Sequence, residues 1–378
     1  MSSQSIAAYE LEFRPYTAEF VGSVKAFNQR LRDGGEATNY FPESHVPNYP
    51  KTSDCELLQE RFLLLYRGQV RGGYVLTHQI FCIRGKCELI ACGPQLALSE
   101  GIVDRRYGMF GVLLIEDAIA RQPLMYGLGM AGMDGPLTKL MGEMGWALLS
   151  VPFYFKVVRP DRFLANINYL RQQRKQRLAV DFVRHTGLGW LGFNVAQFRF
   201  AKRDSSTQSH AFDHFEDWAD EIWERSSEEY AMISHRDSKT LNRIYHPSEP
   251  RFLRIRVCRD RETLGWVVML DEQMFGHRRF GNMRVGFIMD CLASRQHAMQ
   301  VVRAATQYLE KRGVDMIVTN QTNADWKNAL KLNGFLHGPS TTTLGLSPEL
   351  AAKLQPIEVV KEGFHINRGN GHGPILKW

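Results

Sequence analysis

Near residue 104 the chain changes its period. Before that point, residues 62–66, 70–80, 81–83, 87–91 and about 95–103 read as strands, punctuated by Arg67-Gly68-Gln69 and by Gly85-Lys86. Turns this close together predict antiparallel neighbours. After it, Val112, Ile115 and Ile119 recur on one helical face, with Leu114 and Ala118 beside them. A run of hairpins that gives way to a buried helix predicts a mixed α/β layer architecture and excludes an all-helical bundle.

The remaining elements extend this reading. A short strand over residues 12–16 precedes a helix with Thr17 as N-cap, Phe20, Val24, Phe27 and Leu31 on its apolar side, and Gly34-Gly35 as its stop. After residue 119 come a strand at 124–130, a helix capped by Asp134 with Pro136 in its first turn, the pair Gly145-Trp146, and one strand over 148–158. Residues 210–346 repeat this grammar: helices at 215–225 and 238–245, strands at 252–258, 264–270 and 283–292, a helix at 296–311, a strand at 316–319, and a helix at 323–332 closed by Gly334-Phe335. The shared order of elements predicts an internal duplication. At 378 residues the chain has room for two such units.

Composition narrows the function classes. With 44% hydrophobic and 23% charged residues the chain is an ordinary globular one, not a disordered or fibrous one. A net charge of +7 favours an anionic partner such as a nucleotide, a phosphate-bearing cofactor, nucleic acid or an anionic membrane surface. The basic run from Arg171 to Arg177 is either a solvated helix face or a contact for such a partner. No apolar run reaches about 18 residues, and residues 1–10 lack a basic-then-apolar leader, so the expectation is a cytoplasmic protein without a membrane span. Cys55, Cys82, Cys87, Cys92, Cys258 and Cys291 form no metal-binding spacing and are expected as reduced thiols. No metal is expected.

A strand ending in Arg105-Arg106, followed by a glycine-containing turn that opens a helix, suits a phosphate group. First-turn amides lack backbone acceptors and carry the positive end of the helix dipole. The run Val103-Asp-Arg105-Arg106-Tyr107-Gly108-Met109-Phe110-Gly111 is neither G-x-x-x-x-G-K-[ST] nor G-x-G-x-x-G. It resembles the R/Q-x-x-G-x-G/A loop of the GCN5-related N-acetyltransferase superfamily: Arg105 and Gly108 match, Phe110 takes the third position, and Gly111 follows one residue late. Gly145-Trp146 and Gly334-Phe335 resemble the family's Gly-Phe. The likeness spans residues 10–158 and, more weakly, 210–346, and is closest in kind to tandem members such as the FemAB-like and polysaccharide-associated acyltransferases.

This resemblance implies two tandem α/β (α+β) domains, each a mixed, mainly antiparallel sheet flanked by helices. Residues 1–160 would be the acyl-CoA-binding domain, 161–205 a basic linker, 206–347 a degenerate copy and 348–378 a tail. The co-substrate would be acetyl-CoA or another acyl-CoA, held by Val103 and Arg105 to Gly111. Glu100 would be the general base. The family's acid tyrosine falls on Met141 and Leu330; Tyr107, Tyr126 and Tyr154 are the remaining phenols, and Tyr154 is the acid candidate. The implied reaction is N-acylation of a small-molecule amine, an amino sugar of a nucleotide sugar among the acceptors. Alternatives are a FemAB-type transferase with aminoacyl-tRNA as partner and a non-catalytic coenzyme A- or nucleotide-binding protein.

Overall fold

The computed structural model describes residues 10–36, 40–47, 49–53, 55–130, 132–167 and 207–371, so the run from Arg171 to Arg177 lies outside the described residues. The first half supplies β1 (Leu11–Pro15), α1 (Val21–Asp33), β2 (Leu58–Tyr66), β3 (Gln69–Ile83), β4 (Lys86–Ser99), α2 (Phe110–Arg121), β5 (Met125–Gly129), α3 (Pro136–Glu143), β6 (Ala147–Ser150), β7 (Phe153–Val157) and α4 (Pro160–Asn166). The second supplies β8 (Thr207–Ala211), α5 (Asp217–Ser226), β9 (Met232–Ser234), α6 (Ser238–Ile244), β10 (Leu253–Arg259), β11 (Glu262–Gln273), β12 (Arg284–Ala293), α7 (Ala298–Lys311), β13 (Met316–Asn320), α8 (Ala324–Leu332), β14 (Leu336–Gly338) and β15 (Thr343–Leu346). Then follow α9 (Pro348–Lys353), α10 (Ile357–Val360) and β16 (Phe364–His365).

Two sheets result. One runs β1-β2-β3-β4-β5-β15-β6, with β9 added beside the far end of β3 and β16 beside β9; the other runs β8-β10-β11-β12-β13-β7-β14. Laid side by side, these orders correspond strand for strand, with β7 and β15 exchanged between the halves. Thus β15 pairs with β5 and β6, while β7 pairs with β13 and β14. The connections that carry the two strands across touch: Val151 N donates to Thr342 O at 2.9 Å, and Ser340 Oγ donates to Val151 O.

The expected single strand over residues 148–158 is therefore two strands in different sheets, broken at Pro152, which has no N–H for a central ladder. A boundary at residue 160 leaves β7 with the first half in sequence but in the second sheet in space. Other expectations need smaller corrections. Residues 70–83 form one strand, and 86–99 another that ends before residue 103. Asp134 does not cap α3, whose N-cap is Gly135. The stripe buried on α2 is Phe110, Leu114, Ile115 and Ala118, without Val112 and Ile119. Residues 348–371 are not a loose tail but carry α9, α10 and β16. Cys82 and Cys87 are not reduced thiols: they sit opposite each other in the β3–β4 ladder, with Cα atoms 3.9 Å apart, and form a disulfide. The other four cysteines are buried thiols.

Period-2 alternation explains the first sheet. Phe62, Leu64, Tyr74 and Leu76 face α2 and α3, where they meet Phe110, Leu114, Ile115 and Met141. Leu63, Leu65 and Val75 face α1, where they meet Val24, Phe27 and Leu31. Both faces are covered, which is why β2 and β3 read as nearly continuous apolar runs. The duplication also shows at the helix ends. Gly145 and Gly334 both have φ +83°, and the amides of Trp146 and Phe335 both return to the carbonyl five residues back, Met141 and Leu330, at 3.0 Å. This left-handed closure is one that glycine adopts without steric cost.

Candidate functional site

In each half a parallel strand pair is bridged by a crossing helix: β4–α2–β5 and β12–α7–β13. The pairs meet over only a short stretch. β4 and β5 are in register at Ala91–Met125 and Cys92–Tyr126, then part; β12 and β13 are in register from Val285–Met316 to Phe287–Val318. Because each pair is parallel, the turn into the crossing helix and the turn after the second strand lie at one end of the sheet, the usual place for a ligand in such units.

In the first half this end is open. After β4 the chain makes two 3-10 turns, Glu100–Ile102 and Arg105–Tyr107, before α2 starts at Phe110. Leu113 N and Val112 N both donate to Met109 O, at 3.2 and 3.1 Å, so the amides of Met109, Phe110 and Gly111 are the ones left without a backbone acceptor among the described residues. Arg105 is exposed and its side chain has no partner among the described residues. Arg106 turns back onto Asp104, with Nη2 to Oδ2 at 2.6 Å, and holds that carboxyl below its ordinary range. Tyr107 is wedged between Tyr66 and Phe110 and lies under the Arg71 guanidinium at 4.6 Å, which fixes the turn.

Gly108 is in the right-handed region at φ −56°, so backbone strain does not demand glycine there. A Cβ at Gly111 would meet no atom of another element within 4 Å, so the surface at this turn is open. Ile102, Met109 and Met133, exposed apolar residues, belong to the two turns at this same end. These residues suit a molecule with a diphosphate and an apolar arm.

The second half is closed at the corresponding place. The Arg295 amide, just before α7, donates to Glu229 Oε2 at 2.6 Å, and the Arg295 side chain pairs with Asp325. The gap between β12 and β13 is filled by the segment after β16. Asn367 bridges to Gln321, Thr322 N donates to Ile366 O at 3.1 Å, and Asn367 Nδ2 donates to Asp290 Oδ1 at 2.8 Å. Gly369 lies so close that a Cβ would come within 2.4 Å of the Tyr245 hydroxyl. Only glycine fits there.

A buried polar network holds this plug. Arg236 and Asp290, both fully buried, form an ion pair at 2.8 Å; Tyr245 Oη donates to Asp290 Oδ2 at 2.8 Å. Asn370 Nδ2 donates to Ser234 Oγ at 2.7 Å, its carbonyl accepts from Tyr126 Oη at 2.8 Å, and Gln79 Nε2 donates to that hydroxyl at 2.8 Å. The chain thus ties β3 and β5 of one sheet to β12 of the other. His365, fully buried between Tyr230 and Trp326, has no hydrogen-bond partner at either ring nitrogen among the described residues, and burial lowers its pKa to about 4. The unfolded chain takes up this proton near pH 6.5 and the folded chain only near 4. Stability from a neutral His365 is therefore present above pH 6.5 and lost as the pH falls toward 4, on the order of 3 kcal/mol in all. Thermal unfolding between pH 4 and 7 should show that slope, and His365→Phe should flatten it.

The expected catalytic pair is not brought together. Both oxygens of Glu100 are engaged, Oε2 by Arg30 Nε at 3.0 Å and Oε1 by Arg71 Nη1 at 2.6 Å, so the carboxylate ties α1 and β3 to the end of β4. Tyr154, on β7, is in the second sheet, buried in that half's core with its ring edge-on to His337, and burial raises its pKa. Met141 and Leu330, where the family tyrosine would fall, are buried core residues.

Two cavities lie between the halves. One, of ≈ 310 Å³, is lined by Cys55, Gln79, Cys87, His235, Asp237 and Thr240 and adjoins the start of β4. The other, of ≈ 170 Å³, lies at the strand crossing, lined by Leu128, Gly129, Val151, Met289, Asn320, Thr342, Asn367, Arg368 and Gly371. Because Leu128 and Gly129 end β5, this second cavity is at the same end of the first sheet as the α2 start. Nothing in the sequence marked Asn320, Asn367 or Arg368 as neighbours, since they come from β13 and from the segment read as a tail.

Neither a protein-family model nor a curated protein matches the chain. Among solved structures, it is similar to a GCN5-related N-acetyltransferase from Anabaena variabilis, at 9% identity and TM-score 0.50, over 89% of this chain and 72% of that one. It is similar to a conserved protein of unknown function from Enterococcus faecalis, described as a probable N-acyltransferase, at 8% identity and TM-score 0.50, over 91% and 74%. A third similar structure is Saccharomyces cerevisiae N-myristoyltransferase with bound myristoyl-CoA and inhibitors, at 9% identity and TM-score 0.50, over 91% and 81%. The likeness is one of fold, and it extends over most of the chain.

Proposed function

We propose that the chain is an acyl-CoA-dependent N-acyltransferase in which the first half holds the donor and the second half shapes the acceptor side. The observation that carries this reading is the contrast between the two helix starts: in one, the Met109, Phe110 and Gly111 amides lack a backbone acceptor, Arg105 is exposed without a partner among the described residues and nothing crowds Gly111; in the other, the strand gap beside the helix start is filled by residues 366–369. The similar N-acetyltransferase and N-myristoyltransferase structures support the same chemistry.

The first-turn amides of α2 and Arg105 would hold the diphosphate of acetyl-CoA or another acyl-CoA, with Tyr107 and Phe110 packing the turn beneath it. The thioester, when bound, supplies an activated acyl group. The chain's own part is to fix the donor along the parting of β4 and β5 and to receive a small-molecule amine from the cavity at the crossing. Glu100 would act by clamping Arg30 and Arg71 around the turn rather than by taking a proton, because both its oxygens are already engaged. An amino sugar is one acceptor of the right kind.

Isothermal titration of the full chain with acetyl-CoA, followed by a thiol-release assay over a panel of amines, tests the proposal. One molecule bound per chain and amine-dependent thiol release are expected. No binding of coenzyme A would overturn the reading; tight binding without thiol release from any amine would replace it with a binding module.

A further inference from the structure

The cavity at the crossing has one charged side chain on its wall, Arg368. Its Nη1 donates to Asn320 Oδ1 at 2.9 Å, and its guanidinium carbon lies 5.0 Å from the centre of the Phe287 ring. No carboxylate among the described residues pairs with it, and Nε is closed off from solvent without an acceptor. Burial lowers its pKa to about 10, which leaves it a cation at neutral pH, and the like charge of Arg279 acts in the same direction.

With Nε closed off and Nη1 engaged by Asn320, Nη2 is the guanidinium nitrogen left accessible without an acceptor among the described residues, and it can give a charge-assisted hydrogen bond to one oxygen of a carboxylate or phosphate. A cation enclosed with no carboxylate in contact is costly, Glu272 acting on it only from beyond ion-pair distance, and a bound anion relieves the cost. The opposite wall, Leu128 and Gly129, ends β5 on the side where α2 begins. The larger cavity adjoins Cys87, at the other end of β4, and is the wrong place to meet a donor held by α2.

We propose that the free Nη2 of Arg368 binds an anionic oxygen group, carboxylate or phosphate, carried by the acceptor. The acceptor is then a small amine that also bears an acid, such as an amino acid or a phosphorylated amino sugar, not a plain amine. The word acceptor rests on the acyl-transfer reading above; the anion site itself does not.

Four probes separate the two sources of the anion in equilibrium titrations of the full chain: glycine against glycinamide, and glucosamine 6-phosphate against glucosamine. The acid-bearing member of at least one pair should bind better, and Arg368→Gln should weaken it by about tenfold or more, as expected for a lost charge-assisted pair. Arg368→Lys should fall between, keeping the charge but not the planar head that Asn320 and Phe287 hold in place. If Arg368→Gln does not fold, Asn320→Ala, which leaves the charge but frees Nη1, should weaken the same probe several-fold. Acetyl-CoA affinity, measured on the same samples, should be unchanged. Equal binding of acid and neutral probes to the wild type, or an acid preference that survives in Arg368→Gln, overturns the proposal. Loss of the acid preference in Arg368→Gln, with no acetyl-CoA binding by any form, leaves the anion site standing and removes the acyltransferase reading.

Discussion

Gly111→Glu should weaken coenzyme A binding by about 100-fold or more while leaving the melting temperature nearly unchanged. The new side chain has room, because nothing lies within 4 Å of a Cβ at this position, and an unstrained surface substitution shifts stability by only about 0.5 kcal/mol. Its carboxylate would compete for the same first-turn amides and oppose a charged diphosphate. Losing two charge-assisted hydrogen bonds at about 1.5–3 kcal/mol each is enough for that factor. Titration calorimetry checks it. Met299→Glu, near the start of α7 and also exposed, is the matched control; it should change nothing. The reverse pattern would move the donor site to the second half.

Asp290→Ala should destabilise the protein by about 3–5 kcal/mol, the usual result of removing one member of a buried ion pair. Arg236 would be left fully buried and unpaired, and Tyr245 and Asn367 would lose the acceptor that positions them. Urea unfolding gives the magnitude. Glu12→Ala, which breaks an exposed pair with Arg14, should be silent by comparison. A small effect at Asp290 would mean that the plug of residues 364–371 is held by packing rather than by this network.

Much of the architecture was legible because local chemistry and global fold agree. The two glycine-aromatic pairs mark equivalent helix closures, and both adopt the same left-handed turn. The change of period near residue 104 locates the crossing helix, and Asn323, the first residue of the stretch read as a helix over 323–332, caps α8 by accepting from Asp325 N at 3.0 Å. What could not be read is long-range. The exchange of β7 and β15 leaves one local trace, Pro152, since a strand has the same pattern whichever sheet it joins. The disulfide depends on the register that sets Cys82 against Cys87, which spacing alone does not reveal. Residues 364–371, with two Asn and two Gly, are too short and polar for a hydrophobic period; Phe364 and Ile366 are buried in an apolar cluster, and Asn367 and Asn370 because their polar groups find partners in Asp290, Ser234 and Tyr126, each far away in sequence. Arg368 was invisible for the same reason.

The reciprocal loan of one strand means that neither sheet is whole without the other half's chain. Cutting the polypeptide between residues 167 and 207 would leave two fragments still clasped like hooked fingers, each carrying a rib of its companion's sheet. Neither half could therefore be discarded without opening the other's sheet, because each holds a borrowed strand between two of its own.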